Sequence, residues 1–230
     1  SPVFLMAIAT DAVHIFNDME VDEIVILDIG VSRSGGKPDF KMIENLASEC
    51  FMPLSYGGGI RSLEDARTIL KIGVEKIVVG AHAYENPLFI QEASKEFGNQ
   101  SVVVSVDVKK SFLRRYEVAV KNGRKKTGFD PAIYARKMQA AGAGEILLNS
   151  IDRDGTWQGY DLDLIRKVTA SVSVPVIVCG GAGKVEDFGI AIKAGGASAV
   201  AAGSLFIYQK KDRGVLINFP SRQELIKELS

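Results

Sequence analysis

The 230-residue sequence has no excess charge of either sign and no long apolar run. Lys and Arg together number 28, as do Asp and Glu, so the formal net charge is zero. Binding to a nucleic-acid backbone needs a basic surface, so this balance argues against such a partner. No apolar run reaches the roughly 18 residues of a membrane span, and no signal-peptide pattern opens the chain. We therefore expect a cytoplasmic protein with no membrane partner.

Cysteine and histidine are scarce as well. Only Cys50, Cys179, His14 and His82 are present. Their spacing forms neither a metal-ligand set nor a disulfide framework, and two reduced thiols are the simpler interpretation. Neither histidine has a nucleophile or a metal-ligand partner by spacing. The sequence therefore implies no metal and no organic cofactor.

Seven strand-like runs alternate with amphipathic helical stretches along the chain. Their apolar character is nearly continuous, which is typical of parallel strands covered on both faces. SLEDARTILKIG and DPAIYARKMQAAGAG are two of the helical stretches, and the second opens with Asp-Pro and closes on glycine. The strand-like runs are EIVILDI, MPLSYGG, KIVVGA, SVVVSVDV, EILLNS, VPVIVCGG and ASAVAAGS.

The second half of the chain repeats features of the first at a constant separation of 122 residues. Such a register indicates a duplicated half-domain. Two halves of four βα units predict an α/β fold, a (β/α)8 TIM barrel that forms a single domain over residues 1–230. SPVFLM supplies the missing strand as strand 1. The repeated pairs include Glu23 with Glu145, Asp39 with Asp161, Ile43 with Ile165, Pro53 with Pro175 and Gly73 with Gly195.

The two halves differ after their first strands. Leu5 lies opposite Asp107, and after Asp107 the chain continues through KKSFLRRYEVAVKNGRKKTG before its helix. After Met6 a helical pattern follows at once, from Ala7. A loop between residues 6 and 7 is therefore either deleted or absent from the chain as given. We favour the second interpretation, because a direct join leaves too little chain to return along the barrel.

Glycine clusters follow two strands that are related by the duplication. Gly57-Gly58-Gly59 and Gly180-Gly181-Ala182-Gly183 stand there, and the next strands end at Gly80 and at Gly203-Ser204. Ligands of such barrels bind at the C-terminal ends of the strands. Glycine lets backbone N–H groups approach an anion, and a following helix favours phosphate. We therefore predict a ligand with a phosphate at each end; tight turns without a ligand are the alternative.

Three segments resemble the cyclase subunit family of imidazole glycerol phosphate synthase: VVVSVDVKK, GAGEILLNSIDRDGTWQGYD and VIVCGGAGKVEDF. The resemblance covers nearly the whole chain, and SIDRDGT-x-x-GYD is its most specific part. It implies a (β/α)8 barrel that receives ammonia from a glutaminase partner in a heterodimer. The ammonia is joined to a ribulosyl ribonucleotide with two phosphates, and the product is cleaved and cyclised in histidine biosynthesis.

The same resemblance implies roles for residues at the C-terminal rim. Asp107 matches the family's general acid, which works best when its pKa lies near the working pH. Asp154 matches an acid that positions the substrate, although capping of the turn that follows it is an equal alternative. The residues that match the two phosphate cradles are Gly59, Gly80, Gly155, Gly181, Gly203 and Ser204.

At the opposite end of the barrel, Glu23, Lys76 and Glu145 match the family's ring of charged residues, through which ammonia enters. Glu23 and Glu145 are duplicates of one another. Charges at strand starts need a pairing partner if they point inward. Simple exposure to solvent is the alternative interpretation.

One departure from the family concerns strand 1. The family pattern there is Cys-Leu-Asp-Val, and its Asp is the general base of cyclisation, whereas Leu5 stands at that place here. Leucine cannot accept a proton, and general-base catalysis contributes roughly 10²–10⁴-fold. The chain more closely resembles paralogues from surface-polysaccharide and flagellar-glycan clusters. They lack this acid and end in a tail similar to GSLFIYQKKDRGVLINFPS, which reads as extended.

Three functional hypotheses follow from the resemblance. In the first, the chain is the synthase subunit of a glutamine-dependent complex and hands ammonia to a sugar-amidating enzyme, for a phosphorylated or nucleotide-linked sugar of a surface glycan. In the second, it is a histidine-pathway cyclase in which another group replaces the base. In the third, it is a non-catalytic scaffold that activates its glutaminase. A sugar-phosphate isomerase of the sister barrel family fits less well, because it too needs an acid at strand 1.

Overall fold

The computed structural model describes residues 13–19, 21–111, 115–208 and 217–229, and for residues 32–34 it describes the backbone alone. Within these ranges the strands are β1 (Ile24–Leu27), β2 (Leu54–Gly57), β3 (Lys76–Val79), β4 (Val102–Lys110), β5 (Tyr116–Val120), β6 (Lys125–Lys126), β7 (Glu145–Ser150), β8 (Val176–Cys179) and β9 (Ala199–Val200).

The helices surround these strands. They are α1 (13–18), α2 (Ile29–Ser34), α3 (Phe40–Glu49), α4 (Leu63–Ile72), α5 (Ala81–Glu85), α6 (Pro87–Phe97), α7 (Pro131–Ala140), α8 (Leu162–Thr169), α9 (Glu186–Gly189), α10 (Ser204–Ile207) and α11 (Arg222–Leu229), with a 3₁₀ turn at Asn99–Ser101 and a π-helix at Ile190–Ala194. None of the described helices combines the length and the apolar character of a membrane span.

Seven of the strands lie side by side in the order β1-β2-β3-β4-β7-β8-β9, and each neighbouring pair is parallel. All seven runs named from the sequence fall on these strands. The parallel strands with intervening helices confirm the predicted α/β class and the (β/α)8 barrel. The predicted strand 1, with Leu5 and the join between residues 6 and 7, lies outside the described residues. The ends of the path, β1 and β9, are the neighbours which that strand is predicted to have.

The duplication is visible in equivalent hydrogen bonds at the starts of two strands. The Ile24 N–H donates to the Pro53 carbonyl at 3.0 Å, and the Ile146 N–H donates to the Pro175 carbonyl at 2.9 Å. Both residues of the second pair lie 122 positions after those of the first. The repeated prolines thus occupy the same place in each half, directly before β2 and directly before β8.

The helices that follow these duplicated strands are capped in the same way. Asp39 accepts a hydrogen bond from the Met42 N–H at the start of α3, and Asp161 accepts one from the Leu164 N–H at the start of α8. An aspartate at this position satisfies an N–H group that the helix itself leaves unpaired. The repeated aspartates therefore mark two equivalent helix starts.

Successive strand residues face opposite sides of the sheet. In β3, Ile77 and Val79 belong to the large core between sheet and helices. Val78, between them, belongs to a smaller cluster on the other side of the sheet, in the barrel interior. The other members of this interior cluster are Val25, Val103, Leu147, Ile177 and Cys179.

Part of the segment that follows Asp107 forms regular strands. β4 continues to Lys110, β5 pairs with it antiparallel, and β6 pairs with β5. The turn of this β5–β6 hairpin is closed by Lys121, Asn122 and Gly123, all with positive φ. Asn-Gly is a common pair in such turns, because both residues tolerate the left-handed conformation.

Residues 209–216, the centre of the tail for which the sequence predicts an extended segment, lie outside the described residues. Residues 217–220 have no regular secondary structure, and the Asn218 N–H donates to the Phe206 carbonyl at 2.8 Å. α11 then follows. Ser221 and Glu224 form its capping box: the Glu224 N–H donates to the Ser221 hydroxyl, and the Ser221 N–H donates to the Glu224 carboxylate. The segment thus ends in a helix.

Candidate functional site

A cavity of about 530 Å³ lies at the C-terminal ends of β1, β2, β3, β4, β7 and β8. The β5–β6 hairpin forms one of its walls, with side chains from Ala119 to Arg124. Four of the rim residues named from the sequence line this cavity: Gly59, Gly80, Asp107 and Asp154. The fold thus brings together the candidate general acid and one of the two predicted phosphate cradles.

Asp107 points into the cavity because it has the same strand face as the interior residue Val103. Directly opposite it in the register of β4 and β7 stands Asn149. The Asn149 Nδ2 donates to the Asp107 Oδ1 at 3.1 Å. Burial raises the pKa of Asp107; the hydrogen bond from Asn149 lowers it in part, and the charge of Asp154 raises it further. The net shift is upward, which moves this carboxyl toward the range of a proton donor.

Asp154 lies on the turn after β7, where its N–H donates to the Ser150 carbonyl at 2.9 Å. Its carboxylate is exposed and lines the cavity. Cys179, at the end of β8, lines the same cavity. Burial, with the charge of Asp154, raises the pKa of the Cys179 thiol to about 11. Cys179 is therefore a neutral thiol near pH 7, not a thiolate nucleophile.

The first predicted phosphate cradle combines close backbone packing with nearby cations. Gly59 has a φ of 68°, and a Cβ there would collide with the Val31 side chain, so only glycine fits. Gly80 precedes α5, and a Cβ there would lie in ordinary contact with the Ser105 Cβ, at 3.8 Å. The cationic side chains that line the same cavity are Arg61, Lys121 and Arg124. An anionic group in this cavity would therefore meet positive charge from two directions.

The residues of the second predicted cradle form a separate group on the same rim. A Cβ on Gly155 would lie 3.9 Å from the Ser204 Oγ, and the Gly159 N–H donates to the Gly181 carbonyl at 2.8 Å. Gly203 precedes α10 and has open space where a side chain would stand. In the described part of the chain, none of Gly155, Gly181, Gly203 and Ser204 lines the cavity around Asp107. The residues of the two predicted cradles thus do not line one common cavity.

At the other end of the barrel, Lys76 bridges the two duplicated glutamates. Its Nζ lies 3.0 Å from the Glu23 Oε2 and 2.9 Å from the Glu145 Oε1. The Ser55 hydroxyl donates to the Glu23 Oε1 at 2.6 Å. Burial alone would lower the pKa of Lys76, but its hydrogen bonds to Glu145 and Glu23 outweigh burial and raise it. Ion pairs and hydrogen bonds thus link this floor cluster, Glu23, Ser55, Lys76 and Glu145, and the three charged side chains are only 19–27% exposed.

An apolar layer separates the floor cluster from Asp107. On β7 the inward-facing residues are Glu145, then Leu147, then Asn149. On β3 they are Lys76, then Val78. The barrel interior therefore has three levels along its axis: charged at the floor, apolar in the middle and polar at the rim.

Sequence reasoning missed Ser55, Asn149 and Arg61. Ser55 is almost fully buried, and its position beside Glu23 depends on the pairing of β1 with β2. Asn149 could have been found, because every second residue of a strand faces the same side, and Asn149 stands two such steps after Glu145. Within the described residues, no three His, Cys, Asp or Glu side chains are grouped so as to hold a metal ion.

Comparisons with known proteins agree with this architecture. Residues 6–212 match the family described as histidine biosynthesis protein. A Leptospira interrogans protein, provisionally named imidazole glycerol phosphate synthase subunit HisF, is 52% identical over 215 residues, which cover 93% of this chain and 85% of that protein. Similarly named proteins are hisF3 of Vibrio vulnificus, 47% identical over 95% of this chain and 85% of its own length, and hisF2 of Pseudomonas aeruginosa, 44% identical over 94% and 86%.

Proposed function

The chain belongs to the histidine biosynthesis protein family, as a HisF-like member of the imidazole glycerol phosphate synthase group, and we propose that it is the ammonia-receiving barrel subunit of a glutamine-dependent complex. Its partner is a glutaminase that docks at the floor of the barrel and forms a heterodimer with it. The observation that carries the proposal is the floor cluster, in which Lys76 bridges Glu23 and Glu145.

The geometry of the floor supports ammonia entry. The side chains of Lys76 and Glu145 are each 19% exposed, so they are close to solvent without being fully solvated. Ammonia is small and uncharged, whereas ammonium pays a large desolvation penalty in an apolar layer. The interior layer of Val25, Val78, Val103, Leu147 and Ile177 therefore favours passage of the neutral molecule toward Asp107.

The rim supports an acceptor with phosphate groups. The cavity that Asp107 lines is also lined by Gly59, Gly80 and three cationic side chains, and the glycines of the second predicted cradle do not line it. In this proposal one phosphate binds at each cradle, Asp107 donates or removes a proton at the reacting centre, and Asp154 orients the ligand. A ligand of this kind is a bis-phosphate or a sugar phosphate.

For the final acceptor we propose a surface-glycan sugar, amidated by a separate enzyme to which the ammonia is passed. Support comes from Leu5 at the place of the family's general base, and from the likeness of the tail to that of glycan-cluster paralogues. The numbered names hisF2 and hisF3 of two relatives also fit paralogues rather than a single pathway enzyme. The alternative, a histidine-pathway cyclase, is favoured by the presence of Asp107 and Asp154 in one cavity.

The floor is tested with the Lys76→Met variant and a glutaminase of the same organism. Wild-type chain should bind the glutaminase and raise its rate of glutamine hydrolysis. Removing Lys76 leaves two carboxylates without their cation, so we expect that stimulation to fall about tenfold, a loss near 1.4 kcal/mol of coupling. Binding is measured by calorimetry and hydrolysis by glutamate release.

Lys167→Met is the matched control. Lys167 also pairs with a carboxylate, Asp130, at 3.0 Å, but on the helical exterior. Stimulation should survive this change. Equal losses in both variants, or no stimulation by the wild-type chain, would contradict the proposal. Fast turnover of the ribulosyl ribonucleotide with ammonium salt alone would instead support the cyclase alternative. A glutaminase activated equally by all floor variants would support the scaffold.

A further inference from the structure

Only one of the two polar atoms of the Asn149 side chain has a hydrogen-bond partner among the described residues. Its Nδ2 donates to the Asp107 Oδ1 at 3.1 Å, whereas its Oδ1 is buried and has no hydrogen-bond partner among the described residues. A buried polar atom without a partner is uncommon, and in a native protein it calls for an explanation. The unpaired Oδ1 belongs to the same carboxamide whose Nδ2 donates to Asp107, the candidate general acid.

The surroundings of this oxygen leave room for the amide group. A Cβ on Gly180 would lie 2.7 Å from the Asn149 Oδ1 and 2.7 Å from the Ser150 carbonyl oxygen, so glycine is needed there. The terminal torsion of asparagine is broad and roughly two-fold, so a half-turn exchanges its oxygen and nitrogen at little cost. After such a half-turn, the Nδ2 would lie on the side of the Ser150 carbonyl.

The two orientations suit different states of Asp107. A carboxylate only accepts hydrogen bonds, and it therefore needs the amide N–H. A protonated carboxyl has an O–H to donate, and it then needs the amide oxygen. The observed orientation serves the carboxylate and leaves the amide oxygen unused; the turned orientation serves the acid.

We propose that Asn149 is a positioning residue for Asp107 and that its carboxamide rotates by a half-turn when Asp107 gains or loses its proton. The amide N–H of Asn149 donates to the Asp107 carboxylate, and the amide oxygen of Asn149 accepts from the Asp107 carboxylic acid. The carboxyl group thus keeps one partner and one direction in both protonation states. A contribution of this rotation to catalysis rests on the proposed function, in which Asp107 transfers a proton. The rotation itself does not depend on that function.

Other titratable and charged side chains lie around Asp107 and Asn149 and influence the titration of Asp107. Asp154 is the charge that raises the pKa of Asp107, and the Cys179 thiol, on β8, feels the charge of both aspartates. The further charged or titratable side chains that line the cavity are Asp28, Arg61, His82, Lys121 and Arg124. Burial lowers the pKa of His82. The test below therefore follows Asp107 and Asn149 directly.

The experiment is a pH titration of the full chain by NMR, with ¹³C in the aspartate carboxyls and ¹⁵N in the side-chain amides. Asp107→Asn and Asn149→Asp assign the signals. We expect the Asn149 amide signal to shift with the midpoint of the Asp107 carboxyl. Gln139 is the internal control, because its amide bonds to Ser173 and Val174 and, among the described residues, has no hydrogen bond to the Asp107 site; its signal should not move with that midpoint. An Asn149 signal that stays constant through the Asp107 midpoint would overturn the proposal.

A pair of near-isosteric variants gives a second readout. Threonine at position 149 can both donate and accept through its hydroxyl, whereas valine can do neither. Asn149→Val should raise the Asp107 midpoint by about one pH unit, a tenfold change in its ionisation constant, because the hydrogen bond to the charged carboxylate is stronger than the one to the neutral acid. Asn149→Thr should restore the midpoint. Equal midpoints in both variants would overturn the proposal. Absence of turnover in the wild-type chain would count against the proposed function alone, since neither readout needs activity.

Discussion

At the scale of single residues, Asp161 shows how one side chain can join three elements. Its carboxylate accepts hydrogen bonds from the Tyr116 hydroxyl at 2.6 Å and from the Leu164 N–H at 3.3 Å, and its Oδ2 lies 3.0 Å from the Lys110 Nζ. Burial alone would raise the pKa of Asp161, but its bonds to Tyr116 and Lys110 outweigh burial and lower it. The carboxylate thus ties the end of β4 and the start of β5 to α8.

Asp161→Asn should destabilise the fold by about 1–2 kcal/mol near pH 7, because bonds to a charge become bonds to a neutral amide. The wild-type advantage should depend on pH. A group with a lowered folded-state pKa stabilises the protein above its unfolded-state pKa, about 4 for Asp, and this contribution is lost as pH falls through the folded-state pKa. Urea unfolding at pH 7, 5, 4 and 3 measures the difference.

The control for that series is Tyr116→Phe. It removes one neutral donor from Asp161 and leaves the carboxylate and Lys110 in place, so it should cost less than the loss of the charge. A difference between wild type and Asp161→Asn that stayed constant from pH 7 to pH 3 would show that the charge of Asp161 contributes nothing to stability.

At the scale of elements, the hairpin β5–β6 is the part that most changes the site. Lys121, Asn122 and Arg124 from its turn line the cavity together with the rim glycines. Lys121 is partly held by Glu85, whose Oε1 lies 3.6 Å from its Nζ. Asp107 at β4 and Asp154 on the turn after β7 give this rim negative charge. The hairpin adds the cations Lys121 and Arg124 to it.

Gly123→Ala should weaken binding of a bis-phosphate. Gly123 has a φ of 75°, and an added Cβ would lie 3.1 Å from the Ile151 Cδ1, in the cavity wall. Strain and contact together should displace the turn that carries Lys121 and Arg124. We expect about a tenfold loss of affinity for ribulose 1,5-bisphosphate as a probe, which corresponds to ~1.4 kcal/mol, measured by calorimetry.

Gly128→Ala controls for backbone strain. Gly128 has a φ of 77°, close to that of Gly123, but a Cβ there meets nothing within 4 Å. Both variants should lose a similar amount of stability, about 1–2 kcal/mol from the left-handed conformation. Only Gly123→Ala should lose affinity for the probe. An equal loss of affinity in the two variants would mean that the hairpin turn does not shape the site.

The same elements show what could be predicted from the sequence and what could not. The seven parallel strands were predictable, because each is a compact apolar run. The hairpin strand β5 was not among the predicted strands, although it has a strand pattern in YEVAV and a turn pair in Asn122-Gly123. The capping box of Ser221 and Glu224 was likewise a readable signal for α11.

The two ends of the site were predictable to different degrees. Lys76 and the duplicated glutamates follow from their places at strand starts together with the family resemblance. The partners Ser55 and Asn149 were not named. Alternation along β7 is enough to place Asn149 on the inward face, but the contacts of both residues depend on which residue of a neighbouring strand stands opposite. Register between strands is a long-range property, and a single sequence states it only indirectly.

At the scale of the whole molecule, both duplicated halves contribute to one core. Ile43 of α3 and Ile165 of α8 stand 122 residues apart, and they are 1% and 2% exposed. Both belong to the same continuous apolar cluster, which runs around the barrel between sheet and helices. The sheet likewise passes from one half to the other through the β3–β4 pair. A shared core and a shared sheet favour unfolding of the two halves as a single unit.

Ile43→Ala and Ile165→Ala test this unity because they make the same cavity at equivalent places. Each should cost about 2–5 kcal/mol, as large-to-small changes in a packed core do. In a cooperative barrel the double variant should show the sum of the two losses to within about 0.5 kcal/mol, with one urea transition that fluorescence and circular dichroism report at the same midpoint. If the halves were independent, each single variant would split that transition, because only the altered half would unfold early while the other kept its wild-type midpoint.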